Sequence, residues 1–379
     1  MKNLLLLSLL FLLAACGGSD TTDSTAQDGP DRAQEPPAVD LAHEVVFDNE
    51  DVLWGFDFLP DGSMLVTEKS GTLFHVVDGE GVEIAGLPQV RDAGQGGLMD
   101  VHLHPNYSEN GWLYLSYSSV EGEGPGGNTA IARARLKDNG LTDFEVVYKA
   151  SPNTGSRAHW GSRIRWGGDG KLYFCIGDRF NRDVNPQDLS RDGGKVYRIN
   201  DDGSIPEDNP FVDTEGARPA IYSYGHRNPQ GMAVHPETGQ VWTHEHGPRG
   251  GDEINIIRPG VNYGWPVITY GINYNGTTIT EETEREGMAQ PLHYWVPSIA
   301  PSGMAFITSD RYPGWEGDLL VGSLKFAYLD HVVMDGEKVV REEKLLNGLG
   351  RLRDVRMGPD GLIYASVVGT GIVRVLPPQ

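Results

Sequence analysis

The amino-acid sequence predicts an all-β fold, specifically a six-bladed β-propeller. Strong helical patterns are scarce after the N-terminal segment, and alternating apolar and polar residues replace them. One phrase recurs six times: two alternating runs joined by a turn that contains Pro, Gly or an Asp-Gly pair, which is the pattern of a β-hairpin. Six such units in a ring would bury their flat faces against one another and leave only short edges.

The six repeats can be followed along the chain in order. They read FDFLPDGSMLVTE, VHLHPNYSENGWLYLSY, IRWGGDGKLYFCIGD, MAVHPETGQVWTHE, MAFITSDRYPGWEGDLLVGS and VRMGPDGLIYASVV. Each turn needs a residue that tolerates a positive φ, and glycine meets this need at Gly62, Gly111, Gly170, Gly239, Gly317 and Gly361. The irregular spacing of these glycines leaves room for two further strands and long loops in each unit. A β-sandwich would need fewer and more evenly spaced strands.

The N-terminal segment MKNLLLLSLLFLLAACGGSD has the layout of a secretory signal, and its apolar run is shorter than the roughly 20 residues of a membrane span. Residues 13–16, LAAC, resemble the bacterial lipoprotein box, although Cys16 could be incidental in a plain signal peptide. We therefore predict a signal peptide over residues 1–15, a flexible tether over 16–40 and the propeller over 41–379. The predicted location is the cell envelope, at the periplasmic face of the outer membrane, with a lipid on Cys16 as the only membrane contact.

The composition excludes some partners. The chain carries 31 basic and 53 acidic residues, a net charge of −22, which disfavours binding to nucleic acid or to an anionic membrane surface. Cys175 lies in the apolar run KLYFCIGD, which predicts a buried core cysteine rather than a nucleophile.

Several loops between the hairpins hold polar residues that a structural loop does not need: Gln95, His159, Arg227, Asn228, Lys325, Arg351 and Arg353. Lys325 is expected within an apolar strand. Four of these residues are cations from the last three units of an acidic chain, so they predict a pocket for a ligand with several carboxylates or phosphates. Each could instead be a solvated or salt-bridged surface residue. His159 is the best candidate for a general base, because imidazole titrates near neutral pH; the alternative is a packing role beside Trp160.

The stretch from Ser223 to Glu253 contains four histidines, His226, His235, His244 and His246, which raises the question of a transition-metal site. The sequence favours a different interpretation. The Gly247-Pro248 pair and the acidic Asp252-Glu253 pair suggest a hard cation such as calcium, which accepts carboxylate and backbone carbonyl oxygens. A turn with an acid that braces the blade explains the same residues equally well.

Five segments in order resemble the soluble, pyrroloquinoline-quinone-dependent aldose sugar dehydrogenases, the relatives of bacterial soluble glucose dehydrogenase. The segments are GQGGLMD, HWGSRIRWGGDGKLYFCIGD, YGHRNPQG, HGPRGGDEINIIRPGVNYGWP and RLRDVRMGPDG. The resemblance extends from about Glu44 to Val375 and implies a six-bladed propeller, in agreement with the repeats.

The resemblance also implies roles for matching residues. His159 would be the general base, and Arg227 would polarise the quinone with help from Asn228. Gln95, Lys325, Arg351 and Arg353 would contact the cofactor. Gly247 and Pro248 would hold one calcium ion through their carbonyls, and a second would lie near Glu253 and Tyr263. The implied reaction oxidises an aldose at its anomeric carbon to a lactone, with hydride transfer to the quinone and electrons passed to an unknown external acceptor.

One departure from the family pattern affects the catalytic histidine. The glucose dehydrogenases of this family carry an aspartate immediately before that histidine to orient it, and this chain has Ala158 there. Two other functions remain open at this point. A calcium-dependent propeller hydrolase such as a lactonase would need an acidic cage on the central axis, and a non-catalytic binding propeller would not need the cofactor-contacting residues at all.

Overall fold

The computed structural model of this chain describes residues 38–378. The predicted signal peptide, Cys16 and most of the predicted tether lie outside the described residues. Within them the chain forms six small, mainly antiparallel sheets arranged in a ring, and the only helix that they contain is the single turn α1 (Tyr107–Asn110). The predicted six-bladed β-propeller is therefore confirmed. No helix of residues 38–378 is long and apolar enough to cross a membrane.

Strands β1 (Ala38–Val39) and β2 (His43–Asp48) precede the first blade. Blade 1 contains β3 (Leu53–Phe58), β4 (Met64–Glu68), β5 (Thr72–Val77) and β6 (Glu80–Glu83). Blade 2 contains β7 (Leu98–Leu103), β8 (Trp112–Ser119), β9 (Asn128–Lys137) and β10 (Gly140–Lys149). Blade 3 contains β11 (Ile164–Trp166), β12 (Leu172–Ile176), β13 (Lys195–Ile199) and β14 (Ile221–Tyr224).

Blade 4 contains β15 (Pro229–Val234), β16 (Val241–Glu245), β17 (Asp252–Ile256) and β18 (His293–Trp295). Blade 5 contains β19 (Pro301–Phe306), β20 (Leu319–Ser323), β21 (Tyr328–Asp335) and β22 (Lys338–Leu345), with β1 paired in parallel to β22. Blade 6 contains β23 (Leu352–Met357), β24 (Ile363–Val367) and β25 (Gly371–Val375), and β2 is its fourth strand. The β1 pairing means that the described fold begins at Ala38, inside the segment predicted as tether.

The strands of each blade pair in order from the centre of the ring outwards. The first strands of successive blades contact one another, and β23 closes the ring against β3. Each of the six predicted turn glycines joins the first and second strands of a blade. Their φ values run from +69° at Gly111 to +90° at Gly317, a region in which a Cβ atom is strained.

The hydrophobic core is a series of layers between neighbouring blades. One layer joins Leu65 and Leu73 of blade 1 to Val101 and Leu113 of blade 2, and similar layers follow around the ring. Cys175 is fully buried in such a layer, and burial raises the pKa of its thiol to about 12. The prediction of an inert core cysteine is confirmed.

Buried ion pairs connect the inner strands beneath one face of the ring. Asp100 of β7 is fully buried and pairs with Arg163, Arg165 and Arg356 at 3.2, 3.0 and 2.7 Å. Arg163 also pairs with Asp354 of β23 at 3.0 Å. These contacts join blades 2, 3 and 6, and they neutralise carboxylates on the inner strands that a propeller hydrolase would need in an open acidic cage.

Candidate functional site

The candidate residues gather at one face of the propeller. In an antiparallel blade the start of the first strand and the end of the second strand lie at the same edge. His159 precedes β11 and Arg227 precedes β15, whereas Asp178 follows β12 and Gly247 follows β16. The topology therefore brings side chains from distant parts of the sequence to a common face.

A cavity of about 340 Å³ opens on this face. It is lined by His159, Asp178, Phe180, Asn181, Arg182, Asp183, Arg227, Pro248, Trp265, Asn273 and Tyr274. Of the residues predicted from the sequence, only His159, Arg227 and Pro248 line this cavity. The other predicted residues, namely Gln95, Asn228, Gly247, Glu253, Tyr263, Lys325, Arg351 and Arg353, lie outside its lining.

His159 is buried and held on two sides. Its backbone N–H donates to Oε1 of Gln95 at 2.7 Å, and its ring Nδ1 lies 2.6 Å from Oδ1 of Asp178. The carboxylate can only accept, so Nδ1 carries the proton and Nε2 is left as the basic nitrogen. Burial lowers the pKa of His159 below its usual value, with a further lowering from the charge of Arg227 that the hydrogen bond to Asp178 partly offsets. The imidazole is therefore neutral at neutral pH, which is the state that a general base requires.

Asp178 is the functional residue that the sequence analysis missed. Its Oδ2 accepts a hydrogen bond from Nε1 of Trp265 at 2.9 Å, and the guanidinium of Arg227 lies over that indole, 5.4 Å from its centroid. Burial would raise the pKa of Asp178, but the hydrogen bond and charge of His159 and the charge of Arg227 outweigh burial and hold the pKa below its usual range. The available signal was its position as a polar residue directly after the apolar run YFCIG.

Asp178 also explains how His159 is oriented although Ala158 replaces the aspartate of the family pattern. The residue before His159 carries no carboxylate here, and its backbone carbonyl accepts a hydrogen bond from Nη1 of Arg179 at 2.5 Å. Asp178, from the other end of the same hairpin, supplies the carboxylate that orients the ring. Because the interaction is made through space between two loops, the local sequence around His159 gives no indication of it.

Arg227 and Asn228 point in different directions. Nη1 of Arg227 donates to the carbonyls of His246 and Gly247, both at 2.9 Å, so one of the two carbonyls predicted to hold calcium is already bonded. Asn228 is fully buried and accepts from the backbone N–H of Gly161 at 3.2 Å through Oδ1. Its Nδ2 is buried without a hydrogen-bond partner, which marks it as a donor directed at something other than the chain.

The predicted cationic residues are free of carboxylates. Within residues 38–378, Lys325, Arg351, Arg353 and Arg227 form no ion pair, although the chain has a net charge of −22. Arg353 lies over the ring of Trp54 at 4.5 Å, and burial together with the nearby charge of Arg163 lowers its pKa to about 9. Arg353 is half-buried and forms no ion pair with the described carboxylates, although the charges of Asp354 and Asp100 act on it, and an anionic ligand would add a direct counter-charge.

The expectation that Lys325 lies in a strand is wrong. Strand β20 ends at Ser323, whose hydroxyl accepts a hydrogen bond from the backbone N–H of Phe326 and donates to the carbonyl of Ile299. This local bonding turns the chain, so Lys325 lies in the β20–β21 connection. Arg351 donates from Nη1 to the carbonyl of Leu324 at 2.9 Å, which keeps the lysine and the arginine near each other.

Glu245 at the end of β16 and Glu253 near the start of β17 lie close together. A small cavity of about 10 Å³, the space of a single ion or water, is lined by Glu245, Gly247, Glu253 and Tyr263 among others. Burial and the charge of Glu245 raise the pKa of Glu253 well above its usual value. Oδ1 of Asn255 beside them is buried without a partner. Two neighbouring carboxyl groups, one with its pKa raised by burial and by the charge of the other, and an orphan amide oxygen are features that a hard cation fits.

The four histidines between Ser223 and Glu253 are separated by their contacts. His226 bonds to Glu245 and Ser223, His244 to the carbonyl of Gly303 and His246 to that of Pro301. His235 packs against Trp242 and Phe306. Among residues 38–378, no three His, Cys, Asp or Glu side chains group in a way that could hold a metal ion, so a cation here would also need backbone carbonyls.

Comparison with known proteins places this geometry in context. The family model for glucose/sorbosone dehydrogenase matches residues 50–373. The aldose sugar dehydrogenase YliI of Escherichia coli strain K12 is 44% identical over 329 residues, which cover 85% of this chain and 88% of that protein. Quinoprotein glucose dehydrogenase B of Acinetobacter calcoaceticus is 30% identical over 402 residues, which cover 84% of this chain and 82% of that protein.

Two solved structures of aldose sugar dehydrogenases are also similar to this chain. The apo-form of the soluble aldose sugar dehydrogenase of Escherichia coli superposes with a TM-score of 0.86 at 41% identity, over 89% of this chain and all of that one. A PQQ-bound aldose sugar dehydrogenase from Streptomyces coelicolor superposes with a TM-score of 0.73 at 27% identity, over 90% of this chain and 99% of that one.

Proposed function

Because the chain belongs to the glucose/sorbosone dehydrogenase family, we propose that it is an aldose sugar dehydrogenase that uses pyrroloquinoline quinone and calcium. The observation that carries the proposal is that a neutral, carboxylate-held His159 and Arg227 line one cavity, in a chain whose other predicted cations form no ion pair with the described residues. The two relatives described above bear the names aldose sugar dehydrogenase and quinoprotein glucose dehydrogenase, which supports the same assignment.

The residues fit the quinone, which carries three carboxylates. Lys325, Arg351 and Arg353 would pair with these groups, and the orphan Nδ2 of Asn228 would donate to the cofactor. Gln95 would contact it and also supports the backbone of His159. When bound, the quinone supplies the two-electron acceptor for the carbon–hydrogen bond of the sugar, and an external acceptor outside the protein reoxidises it.

The chain itself moves the proton and stabilises charge. Nε2 of His159 accepts the proton of the anomeric hydroxyl, while Asp178 keeps the proton on Nδ1 and stabilises the imidazolium that forms. Arg227 holds a fixed positive charge over the cavity, and within the described residues only its Nη1 and its backbone are engaged. Its remaining N–H groups are available to a developing negative oxygen. The product of this reaction is a lactone.

Calcium would bind between the end of β16 and the start of β17, beside Glu245 and Glu253. Gly247 and Pro248 would offer carbonyl oxygens to one ion, and Glu253 with the backbone of Tyr263 would hold a second. The hydroxyl of Tyr263 already donates to the carbonyl of Ile256 at 2.6 Å, so only its carbonyl could take part. An ion here would neutralise the buried charge of Glu245 and Glu253, which is a stabilising effect independent of the reaction.

A direct experiment tests the proposed function. Purified apo-protein is supplied with calcium and the quinone, and then with a panel of aldoses and a redox dye. We expect quinone-dependent bleaching of the dye and a lactone product, with loss of turnover and retained quinone binding in His159→Gln. Absence of bleaching with every aldose would refute the dehydrogenase. Lactone hydrolysis without quinone would favour a hydrolase, and bound quinone without turnover in the wild type would favour a binding module.

The cellular location belongs to the same proposal. A lipid on Cys16, suggested by the segment LAAC, would anchor the propeller to the periplasmic face of the outer membrane. Cys175 is buried and unavailable, so Cys16→Ser should release the protein from the membrane fraction into the soluble one. Retention of the serine variant in the membrane fraction would count against the anchor.

A further inference from the structure

Phe180 is exposed where packing alone does not explain it. Its side chain is 67% exposed and lines the candidate cavity, and Tyr274, also 67% exposed, lines the same cavity. Two large aromatic side chains left in solvent at one cavity indicate a surface that a ligand covers.

Phe180 has backbone angles that a bulky residue rarely adopts. Arg179 and Phe180 both have left-handed backbone angles, with φ of +55° and +60°, which a bulky residue adopts rarely. The side chain of Arg179 turns inward, where it donates to the carbonyl of Ser156 at 2.9 Å and lies 3.5 Å from the centroid of Trp160. Anchoring Arg179 in the interior directs Phe180 outward into the cavity.

A single oxygen links this aromatic ring to the catalytic base. Oδ1 of Asp178 accepts from the backbone N–H of Phe180 at 2.8 Å and from Nδ1 of His159 at 2.6 Å. The rings of Phe180 and His159 are 5.0 Å apart, with an angle of 58° between their planes. The distance from the aromatic surface to the basic nitrogen is therefore fixed by the same carboxylate that orients the base.

A hydrogen bond connects the two loops that carry Phe180 and Tyr274. Nη1 of Arg182 donates to Oδ1 of Asn273 at 2.8 Å, which joins the loop of Phe180 to the loop of Tyr274. Asn181 and Asp183 lie on the first loop and line the cavity, so hydrogen-bonding groups stand beside the aromatic surfaces.

We propose that Phe180 and Tyr274 are the sugar-binding surfaces of the enzyme. A pyranose ring carries C–H groups on its faces and hydroxyls around its edge, so an aromatic face beneath the ring leaves the hydroxyls for polar neighbours. Phe180 contacts one face of the ring that is oxidised and holds its anomeric hydroxyl toward His159, and Tyr274 contacts the edge of the ring, so the other face stays open to the acceptor of the C–H hydrogen. This assignment rests on the proposed function and names the residues that determine its preference for cyclic aldoses.

The substitution Phe180→Gly tests the assignment, because glycine accepts the backbone angles without strain and the loop keeps its path. We expect KM for glucose and maltose to rise on the order of tenfold, as the loss of one aromatic contact implies. Quinone binding and kcat should change less than threefold, and Phe180→Tyr should restore KM. Tyr274→Ala should raise KM in the same direction.

The matched control is Asp138→Gly, which removes a left-handed non-glycine residue from the exposed β9–β10 turn and should leave sugar kinetics unchanged. An unchanged KM in Phe180→Gly would overturn the proposal, and so would a rise confined to the KM of the redox acceptor. If the wild type does not oxidise any aldose, sugar binding to the wild type and to Phe180→Gly is measured calorimetrically. Binding that the glycine variant loses then supports the surface, and no binding to the wild type overturns it.

Discussion

Asp178 is the residue through which the candidate site is organised. One oxygen holds the base and the backbone of Phe180, and the other holds Trp265, over which Arg227 lies. A carboxylate in this position stabilises the neutral tautomer of His159 in the ground state and its charged form after proton transfer. The side chains of His159, Trp265 and Arg227 and the backbone of Phe180 therefore depend on this one carboxylate.

Replacing Asp178 by Asn should lower kcat on the order of 10²-fold or more, since the imidazolium loses its counter-charge. In the proposed mechanism activity requires neutral His159, so kcat/KM should rise with pH through the pKa of His159, which lies below its usual value. Because Asp178 raises that pKa, its neutralisation should move the acid limb to lower pH. A pH profile of kcat/KM for both proteins measures this, and an unchanged acid limb would exclude Asp178 from controlling the base.

The sequence predicts the site residues that can be recognised from their own segment. It does not predict the residues whose role depends on contacts between distant loops. His159, Arg227 and Pro248 were predicted and line the cavity, because a loop residue beside an apolar run can be recognised in one dimension. Asp178, Phe180 and Trp265 were missed. Asp178 does follow an apolar run, but its contacts with His159 and Trp265 depend on which loops the ring brings together, and the sequence of a single segment does not encode that.

At the scale of single elements, the hairpin turns could be predicted because each turn requires a residue with a positive φ angle. A positive φ excludes most residues, so a glycine between two alternating runs identifies the turn before any partner strand is known. The outer strands were not predictable in the same way. Strand β6 is exposed along its length, so its sequence lacks the apolar alternation that marks a strand.

Two glycine substitutions separate strain from crowding. Gly62 has a φ of +87°, and the position that a Cβ would occupy has no other atom within 4 Å, so Gly62→Ala should cost about 1 kcal/mol of unfolding free energy from strain alone. Gly303 has a φ of +64°, and its Cβ would lie 2.6 Å from Cα of Asp354 in the next blade. Gly303→Ala should cost more than about 3 kcal/mol. Equal losses in chemical denaturation would contradict this interpretation of the two positions.

A second prediction at the scale of elements concerns the proposed calcium site between the end of β16 and the start of β17. Calcium should raise the Tm of the apo-protein, because an ion between buried carboxylates binds the folded state and not the unfolded one. Glu253→Gln should abolish most of this rise. Asp330→Asn is the matched control, since it changes a buried acid between blades 4 and 5 and should leave the calcium response intact. A full response in Glu253→Gln would remove that residue from the proposed site.

At the scale of the whole molecule, the buried ion pairs of Asp100 hold three blades together beneath the site. Asp100→Asn would leave Arg163, Arg165 and Arg356 with too little compensating charge, and we expect a loss of about 3–5 kcal/mol. Glu44→Gln, which removes an exposed pair with Arg374, should cost no more than about 1 kcal/mol. Denaturation by urea distinguishes the two, and comparable losses would show that the buried network does not brace the ring.

The stability of the ring should also depend on pH through its buried histidines. Burial lowers the pKa of His244 to about 3, whereas its value in the unfolded chain is about 6.5. A depressed histidine pKa means that the unfolded chain binds the proton first, so stability is full above pH 6.5 and falls as pH drops toward 3. Burial raises the pKa of Asp252 to about 6, which opposes this trend in part of the range.

A variant isolates the contribution of His244. Between pH 6 and pH 4, the unfolding free energy of the wild type should fall about 1.4 kcal/mol per pH unit more steeply than that of His244→Gln. Glutamine can still donate to the carbonyl of Gly303, so the blade contact is retained. Parallel slopes in the two proteins would show that His244 titrates normally in the fold.

Pairing β2 with β25 has a consequence for how the protein is made. Strand β2 is translated before the first blade, but its antiparallel partner β25 is translated only after the other strands of all six blades. A nascent chain must therefore carry an unpaired β2 until β25 has been made. Premature termination within blade 6 would release a product with two open sheet edges, which is a natural substrate for proteases and for aggregation. Ring closure thus acts as a check that all six blades have been made.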